Sequence, residues 1–522
     1  MCGILFIINK QRAPKPADHP IQWNAPRGPD ETKIVVIPPN SFMAFHRLSI
    51  VNIKEGMQPF ERKSLYSMCN GEIYHSAYGR KANDCETIIQ AYEDGIEPIV
   101  FTPKLLGEFA YILLDTKNSH VYFARDSFGI KPLYIVNNAN YFALSSTVGS
   151  IMNLGEVKQV EPRKVFLYNM KKSSISGMPY TTITFNSPRH PISYLEPDAP
   201  YKFIASELRI AIERRITHSE RPVGFLLSGG LDSSVVLAIS LASGLLRHPP
   251  KVFTFGFSRD APDVIAAAQV VEWLRNLYGK DSFEWHLVIG DISEGLSVLP
   301  DVIRAIETYD ITTVRASTPM YLISSWIRKN TDVKVILSGE GSDELFGGYL
   351  YFMYAPSEFE FKAEIVKLLN NLHYFDVLRA DKTTAAFGLE FRPPFLDTEL
   401  VQAVMTHKMQ FSSDVNTKYV LRRAIKSAYS LSLPKNIIDG KKEAFSDAVG
   451  YSWKDTLGRI AKEKYPSSSN PELAYYKSIY DSIFSFPSEP FPHLWLPNKD
   501  WVDTGNEPSA RALSVYDKKN IS

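Results

Sequence analysis

The chain has 522 residues, 44% of them hydrophobic and 22% charged, with a formal net charge of +1. That length exceeds one ordinary domain and suggests two or three. The near-neutral balance gives no reason to expect a nucleic-acid or acidic-membrane partner, and no apolar run reaches the ~18 residues of a transmembrane helix.

At the start, Met1-Cys2-Gly3 precedes the apolar run Ile4-Leu5-Phe6-Ile7-Ile8. The run is too short for a signal-peptide core and has no basic residue before it, so it reads as a buried strand. If Met1 is removed, Cys2 carries a thiol and a free α-amine with a pKa near ~8, and one residue supplies both nucleophile and base. Three cysteines in all (Cys2, Cys69 and Cys85) make neither a disulfide framework nor a paired C-x-x-C metal site. They point to a reducing cytoplasm, which would also keep Cys2 a usable thiol.

Up to about residue 190, short apolar runs at 33–37, 109–114, 121–124 and 141–144 alternate with turn residues, which predicts a β-rich part with sheet packed on sheet. A helix is predicted over 84–93, and a weaker one over 97–106 because Pro103 interrupts it. The Pro-rich stretch 187–200 reads as a linker. Beyond it, helical patterns at 202–217, 264–278, 320–329 and 361–380 interleave with strand-like runs at 224–227, 252–257, 283–288 and 333–337. That alternation predicts a parallel sheet covered by helices. The tail after Phe491 reads as irregular, and there is no internal repeat.

Within ninety residues of Cys2 lie Arg27-Gly28-Pro29-Asp30, His46-Arg47-Leu48-Ser49-Ile50, Asn70-Gly71-Glu72-Ile73-Tyr74 and Asp84-Cys85-Glu86. Alone, Arg47 reads as a surface ion pair and Asp84 as a helix N-cap. The ordered set instead resembles the glutaminase domain of class II (N-terminal nucleophile) amidotransferases. Amide hydrolysis needs donors placed for a developing oxyanion, and Asn70 with the Gly71 N–H can supply them. Arg47 suits the α-carboxylate of glutamine, while Asp84 and Glu72 match the positions that take its α-ammonium. The resemblance adds Ile50 and Val51 to the glutamine-binding set. Cys69 reads as a buried structural thiol.

Later, Val223-Gly224-Phe225-Leu226-Leu227 runs into Ser228-Gly229-Gly230-Leu231-Asp232-Ser233-Ser234. A strand, a Gly/Ser turn and a helix start gather backbone N–H groups and a helix dipole at one point, which suits pyrophosphate. No Lys follows the glycines, so this is not a Walker loop. It resembles the loop of ATP pyrophosphatases, and the resemblance puts Asp232 and Asp343 on Mg²⁺.

Glu307 to Pro319, Ser338 to Tyr349, Phe391 to Asp397 and Lys442 to Asp447 extend the likeness. From Cys2 to about Leu513 the chain resembles the glutamine-hydrolysing asparagine synthetase family. The implied fold is α/β overall. An αββα-type glutaminase sandwich (residues 1–190) would be followed by an α/β ATP pyrophosphatase domain with a parallel sheet (200–522). The resemblance places Leu227, Ser228, Gly229, Gly230, Ser233, Ser234, Phe255, Ser338, Gly339 and Lys442 about ATP, together with Asp232 and Asp343. It places Thr312, Thr313, Arg315, Asp376 and Arg379 about aspartate and its intermediate. Lys442 and Arg315 would neutralise phosphate charge, and Glu340 would take a proton from attacking ammonia. Implied substrates are aspartate, glutamine and ATP, with Mg²⁺, no nucleic acid and no membrane; a homodimer stays open.

Leu144-Ser145-Ser146-Thr147-Val148 lacks a Glu and a Lys usual in the family, which puts a domain-interface or tunnel contact in question. Ala448 replaces a usual glycine, and the first domain is shorter between Asn9 and Trp23 and after Tyr74, where loops shrink at little cost. Two rival readings are an amidating or β-lactam-forming relative acting on another carboxylate, and a non-catalytic member acting by interaction. Glu307 to Pro319 argues against the first; retention of Cys2, Asp232 and Glu340 argues against the second.

Overall fold

The structure, a computed structural model, describes residues 1–13, 15–78, 83–183, 197–406, 417–428, 433–434, 437, 449–484 and 494–504. Lys442 and Ala448 lie outside the described residues, as does most of the stretch read as a linker.

The strand Gly3–Asn9 sits inside a six-stranded antiparallel sheet, between Ser41–Arg47 and Tyr141–Ser145. Its side chains alternate between two cores. Ile4, Phe6 and Ile8 meet Met68, Ile112 and Phe123 of a second six-stranded antiparallel sheet, whereas Leu5 and Ile7 pack with Tyr134, Val148 and Ile151 behind the first. Burial on both faces explains why the run is apolar throughout rather than alternating. Cys2 is thereby fixed at the end of a central strand. In the second sheet, the twelve-residue strand Leu65–Ser76 carries Asn70, Gly71 and Glu72, paired with Leu105–Asp115.

From Val223 onward a five-stranded parallel sheet takes over, in the spatial order Glu284–Ile289, Lys251–Gly256, Val223–Leu226, Val335–Leu337, Glu390–Arg392. The chain winds outward from Val223–Leu226 through two strands and then returns to its other side. The strand order therefore reverses between Val223–Leu226 and Val335–Leu337, the position where open parallel sheets bind ligands.

Three predicted elements differ from those formed. Over 97–106 only Pro98–Phe101 is α-helical; a short 3-10 turn at Thr102–Lys104 follows, and Leu105 already begins a strand. The helix predicted to start at Met320 starts at Ile311, capped by the Asp310 carboxylate, and continues through Pro319 to Asn330. The predicted helix 361–380 is two helices, Glu358–Asn371 and Asp376–Ala385, with a break at Phe375 (φ −127°, ψ −100°) that apolar periodicity does not signal. The described part of the tail, 494–504, has neither helix nor strand, yet Trp495 packs on Tyr349 and Tyr351.

A seam of buried charges joins the antiparallel sandwich to the parallel-sheet part. Arg27 pairs with Asp381 at 2.7 Å and Arg215 with Glu108 at 3.0 Å. Lys131 stands 3.5 Å from Asp381 and 3.8 Å from Glu108. The Met1 α-ammonium meets Glu390 at 2.5 Å, and Lys382 meets Glu307. Charges so buried persist only when paired.

Candidate active sites

The Cys2 backbone N–H donates to Asn70 Oδ1 at 2.9 Å, which turns the other end of that amide, Nδ2, into the space beside the thiol. Asn70 is fully buried and its Nδ2 has no hydrogen-bond partner. A buried donor without an acceptor is costly, and an oxyanion formed at this point would accept from it. Gly71 adopts φ +135°, and a Cβ there would stand 1.8 Å from the Glu108 carbonyl oxygen, so only glycine fits. Burial pushes the Cys2 thiol up to about 11 in the chain that carries Met1.

Asp30 Oδ2 accepts from the Ser49 N–H at 2.8 Å and pins the loop bearing Ile50 and Val51. Gly28 allows this approach, since a Cβ there would sit 2.0 Å from the His46 carbonyl oxygen. Arg47 is buried; its guanidinium donates to the Asn52 carbonyl at 2.6 Å and pairs with the half-exposed Glu31 at 3.3 Å. Asp84 accepts from the Ile73 N–H at 2.7 Å, which joins it to the strand carrying Glu72. Burial first, then the carboxylates of Glu390 and Asp84, push Glu72 up to about 7. The sequence did not single out His218, which follows the helix Ala199–Thr217. Its Nε2 lies 3.4 Å from Glu72 and 3.6 Å from Asp84. Cys69 is buried, and its backbone N–H donates to Gln58.

The second site opens where the strand order reverses. Gly229 (φ +78°) turns the loop after Leu227, and Gly230 starts the helix Leu231–Ala242. Opposite it runs Ser338-Gly339-Glu340, so close that a Cβ on Gly339 would stand 2.7 Å from the Asp232 Cβ. The cavity between them is lined by Leu227, Ser228, Asp232, Ser233, Phe255, Thr312, Arg315, Ser338, Gly339, Glu340, Asp343, Asp376 and Arg379. Ser234 is buried behind the loop, its hydroxyl donating to the Gly230 carbonyl at 2.7 Å. Thr313 also turns away, with its hydroxyl and its N–H on Asp310 at 2.7 and 2.9 Å.

Arg379 bridges Glu340 (2.9 Å) and Asp376 (2.8 Å), and the break at Phe375 precedes the short helix that carries Asp376 and Arg379. Arg315 reaches the cavity wall while donating to both oxygens of Glu472, at 2.7 and 2.6 Å. Two further residues were not singled out in the sequence. Lys418 lies 2.5 Å from Asp232 and 2.7 Å from Asp343, so the two carboxylates already converge on one cation. Glu344 is buried; its surroundings, then Asp376 and Asp343, raise its pKa well above the ordinary value, and Tyr349 donates to it at 2.6 Å. Neither signal was available from spacing, because Lys418 lies far along the chain from both aspartates.

Compared with known families, residues 1–190 match the glutamine amidotransferase domain, and residues 204–366 and 355–485 match asparagine synthase. The chain belongs to the asparagine synthetase family. It is 36% identical over 570 residues to asparagine synthetase [glutamine-hydrolyzing] of Gallus gallus, with 99% of both chains covered. To the Homo sapiens enzyme of the same name it is 35% identical over 572 residues, again across 99% of each. A probable asparagine synthetase [glutamine-hydrolyzing] of Acanthamoeba polyphaga mimivirus is 35% identical over 541 residues, covering 94% of this chain and 95% of the relative.

The departure from the asparagine synthetase family pattern at Ser146 and Val148 now has a structural setting. Val148 N–H and Gly149 N–H donate to the two oxygens of Glu307, each at 3.0 Å, and Lys382 completes the contact. Ser146 Oγ accepts from the Ile4 N–H at 3.2 Å. This part of the seam uses main-chain donors, which any residue but proline supplies. Among the described residues, no helix is long and apolar enough to cross a membrane.

Proposed function

We propose that this chain makes L-asparagine from L-aspartate, L-glutamine and ATP, releasing glutamate, AMP and pyrophosphate. The observation that carries this reading is the pairing of two sites along one seam. The first is an N-terminal thiol beside an unpartnered amide donor; the second is a carboxylate-rich nucleotide crevice at the switch point of a parallel sheet. In this reading residues 1–190 form the glutaminase and 200–522 the synthetase. Once Met1 is gone, the Cys2 amine takes the thiol proton and the thiolate attacks the glutamine amide carbon. Asn70 Nδ2 and the Gly71 N–H hold the oxyanion. Arg47 grips the α-carboxylate, and Glu72 with Asp84 the α-ammonium, beside Ile50 and Val51.

In the second site, Ser228 to Ser233 cradle phosphate while Thr312, Arg315, Asp376 and Arg379 orient aspartate. Asp232 and Asp343 fit Mg²⁺, since their carboxylates focus on one point that a lysine cation shares. The ion, when bound, supplies charge neutralisation for the phosphates. Aspartate attacks the α-phosphate to give β-aspartyl-AMP, and ammonia then displaces AMP while Glu340 accepts a proton. Neutral water would convert free ammonia to unreactive ammonium, so an internal path is required. The strand Glu390–Arg392 supports one. Its first residue meets the N-terminus, and its parallel neighbour Val335–Leu337 runs into Ser338 and Glu340. The cysteine chemistry suits the cytoplasm, and the assembly expected is a homodimer.

The test is incubation with aspartate, MgATP and glutamine, with assays of asparagine and pyrophosphate. Cys2→Ala is expected to lose glutamine-driven synthesis and keep synthesis from ammonium salt. Loss of both in a folded variant would assign Cys2 another role; pyrophosphate without asparagine would favour another carboxylate substrate.

A further inference from the structure

His218 is the third member of a buried group with Glu72 and Asp84 whose ligand atoms all lie within 4.8 Å of one another. It belongs to the parallel-sheet part of the chain, whereas both carboxylates belong to the sandwich. The imidazole caps the C-terminus of the helix Ala199–Thr217, where exposed carbonyls favour a cation. Tyr74 meets it edge to face, with ring centroids 5.4 Å apart. The Arg392 Nη1 donates to its main-chain oxygen at 2.9 Å, fixing the backbone and leaving the ring to swing. The side chains of Glu72 and Asp84 are 8% and 7% exposed and that of His218 is 20% exposed, so the imidazole lies over the carboxylates as a cover.

One nitrogen, Nε2, faces both carboxylates, as a substrate ammonium would. It makes no hydrogen bond of good geometry, at 3.4 and 3.6 Å, and Glu72 Oε2 is likewise without a hydrogen-bond partner. Charge therefore holds the group together while its directional bonding stays unspent. An ammonium with three N–H donors can do better at the same point.

We infer that His218 is a displaceable cation that stands in for the α-ammonium of glutamine, so that the substrate must evict an imidazolium carried by the synthetase part. This rests on the reading in which Glu72 and Asp84 hold the α-ammonium. Burial opposes the charged ring, but Asp84 and Glu72 more than offset it and hold His218 up to about 9. The other charged or titratable groups facing the cluster are Glu390, Arg392, Arg215, Tyr74 and the N-terminal amine on Glu390. The sign follows. A raised imidazole pKa means that the pairing is in place below the ordinary value of about 6.5 and is lost as the pH rises through about 9. Evicted near neutrality, the ring returns toward its ordinary pKa and gives its proton to solvent. Because β-strand Val223–Leu226 and the Ser228 loop follow His218 directly, eviction also marks glutamine occupancy on the synthetase side.

The test uses the full chain with Cys2→Ala, which binds glutamine without turnover. Calorimetric titration with glutamine at pH 7.5 in two buffers of different protonation enthalpy counts the protons released. With His218 present, release of about one proton is expected, and His218→Gln should abolish it. A cover closed ~90% of the time weakens apparent affinity ~10-fold, so His218→Gln should bind glutamine about that much more tightly. The two proteins should converge above pH 9. His218→Lys, which keeps a cation, should bind weakly with no proton release, and thermal unfolding reports that each variant is folded. Asp84→Asn should weaken binding. If Asp84→Asn binds normally, the placement of the α-ammonium fails and the cover with it. If Asp84→Asn binds weakly while His218→Gln binds no tighter and proton release persists, the cover alone is overturned.

Discussion

At Asn70 one side-chain amide is divided between two tasks: its oxygen fixes the Cys2 backbone and its nitrogen waits for charge. Asn70→Ala removes both, and glutamine hydrolysis should slow by roughly 10²-fold, the usual effect of losing one oxyanion donor. Steady-state assays of glutamate release check this; unchanged turnover with a shifted KM would move Asn70 to substrate binding. Glu340 is a different case. Its carboxylate leans on Arg379, which also holds Asp376, so Glu340→Gln keeps an acceptor for the guanidinium and removes only the basicity. Exchange of labelled pyrophosphate into ATP should persist in this variant while asparagine formation falls by ~10²-fold or more. Joint loss of exchange and synthesis would instead place Glu340 in adenylation.

Among the elements, the strand Leu65–Ser76 shows how a local conformation can carry a site. Gly71→Ala would force a Cβ against the Glu108 carbonyl at a φ that L residues avoid, and the two strands would have to part. Moving the Gly71 N–H off the oxyanion position should cost glutamine hydrolysis at least ~10²-fold; synthesis from ammonium salt, measured alongside, should survive. The sequence made this strand's chemistry legible because Asn-Gly-Glu stands within a few residues. The same holds for the Ser228–Ser234 loop, where strand, turn and helix are contiguous. Legibility ended where partners come from distant chain. Lys418 between Asp232 and Asp343, Glu472 on Arg315 and His218 over Glu72 are tertiary encounters with no local period. The break at Phe375 escaped for a related reason. Its flanking helices share one apolar pattern, and the turn is set by what Asp376 and Arg379 must reach.

Across the whole molecule, two chemistries depend on a seam that must be both strong and tight. Glu390 shows the electrostatic side of this. Burial works against its charge, yet the N-terminal ammonium and Arg392 hold its carboxyl well below the usual range. Glu307 shows the mechanical side, since its carboxylate is the only link described here between the Val148–Gly149 main chain and Lys382. Glu307→Ala would leave a buried ammonium unpaired and two N–H groups without acceptors. Burial already pulls Lys382 below its ordinary pKa, so the orphaned lysine would shed its proton rather than stay charged. Breaking a buried pair in this way costs about 3–5 kcal/mol, which denaturant unfolding should register. The functional consequence separates a seal from a mere brace. If the seam confines ammonia, Glu307→Ala should release more glutamate than it forms asparagine, although both half-reactions still run when assayed apart. Glu307→Gln, which retains an oxygen for one N–H, should leak less. Equal yields of glutamate and asparagine in a destabilised Glu307→Ala protein would make Glu307 a brace only and move the ammonia path away from this part of the seam.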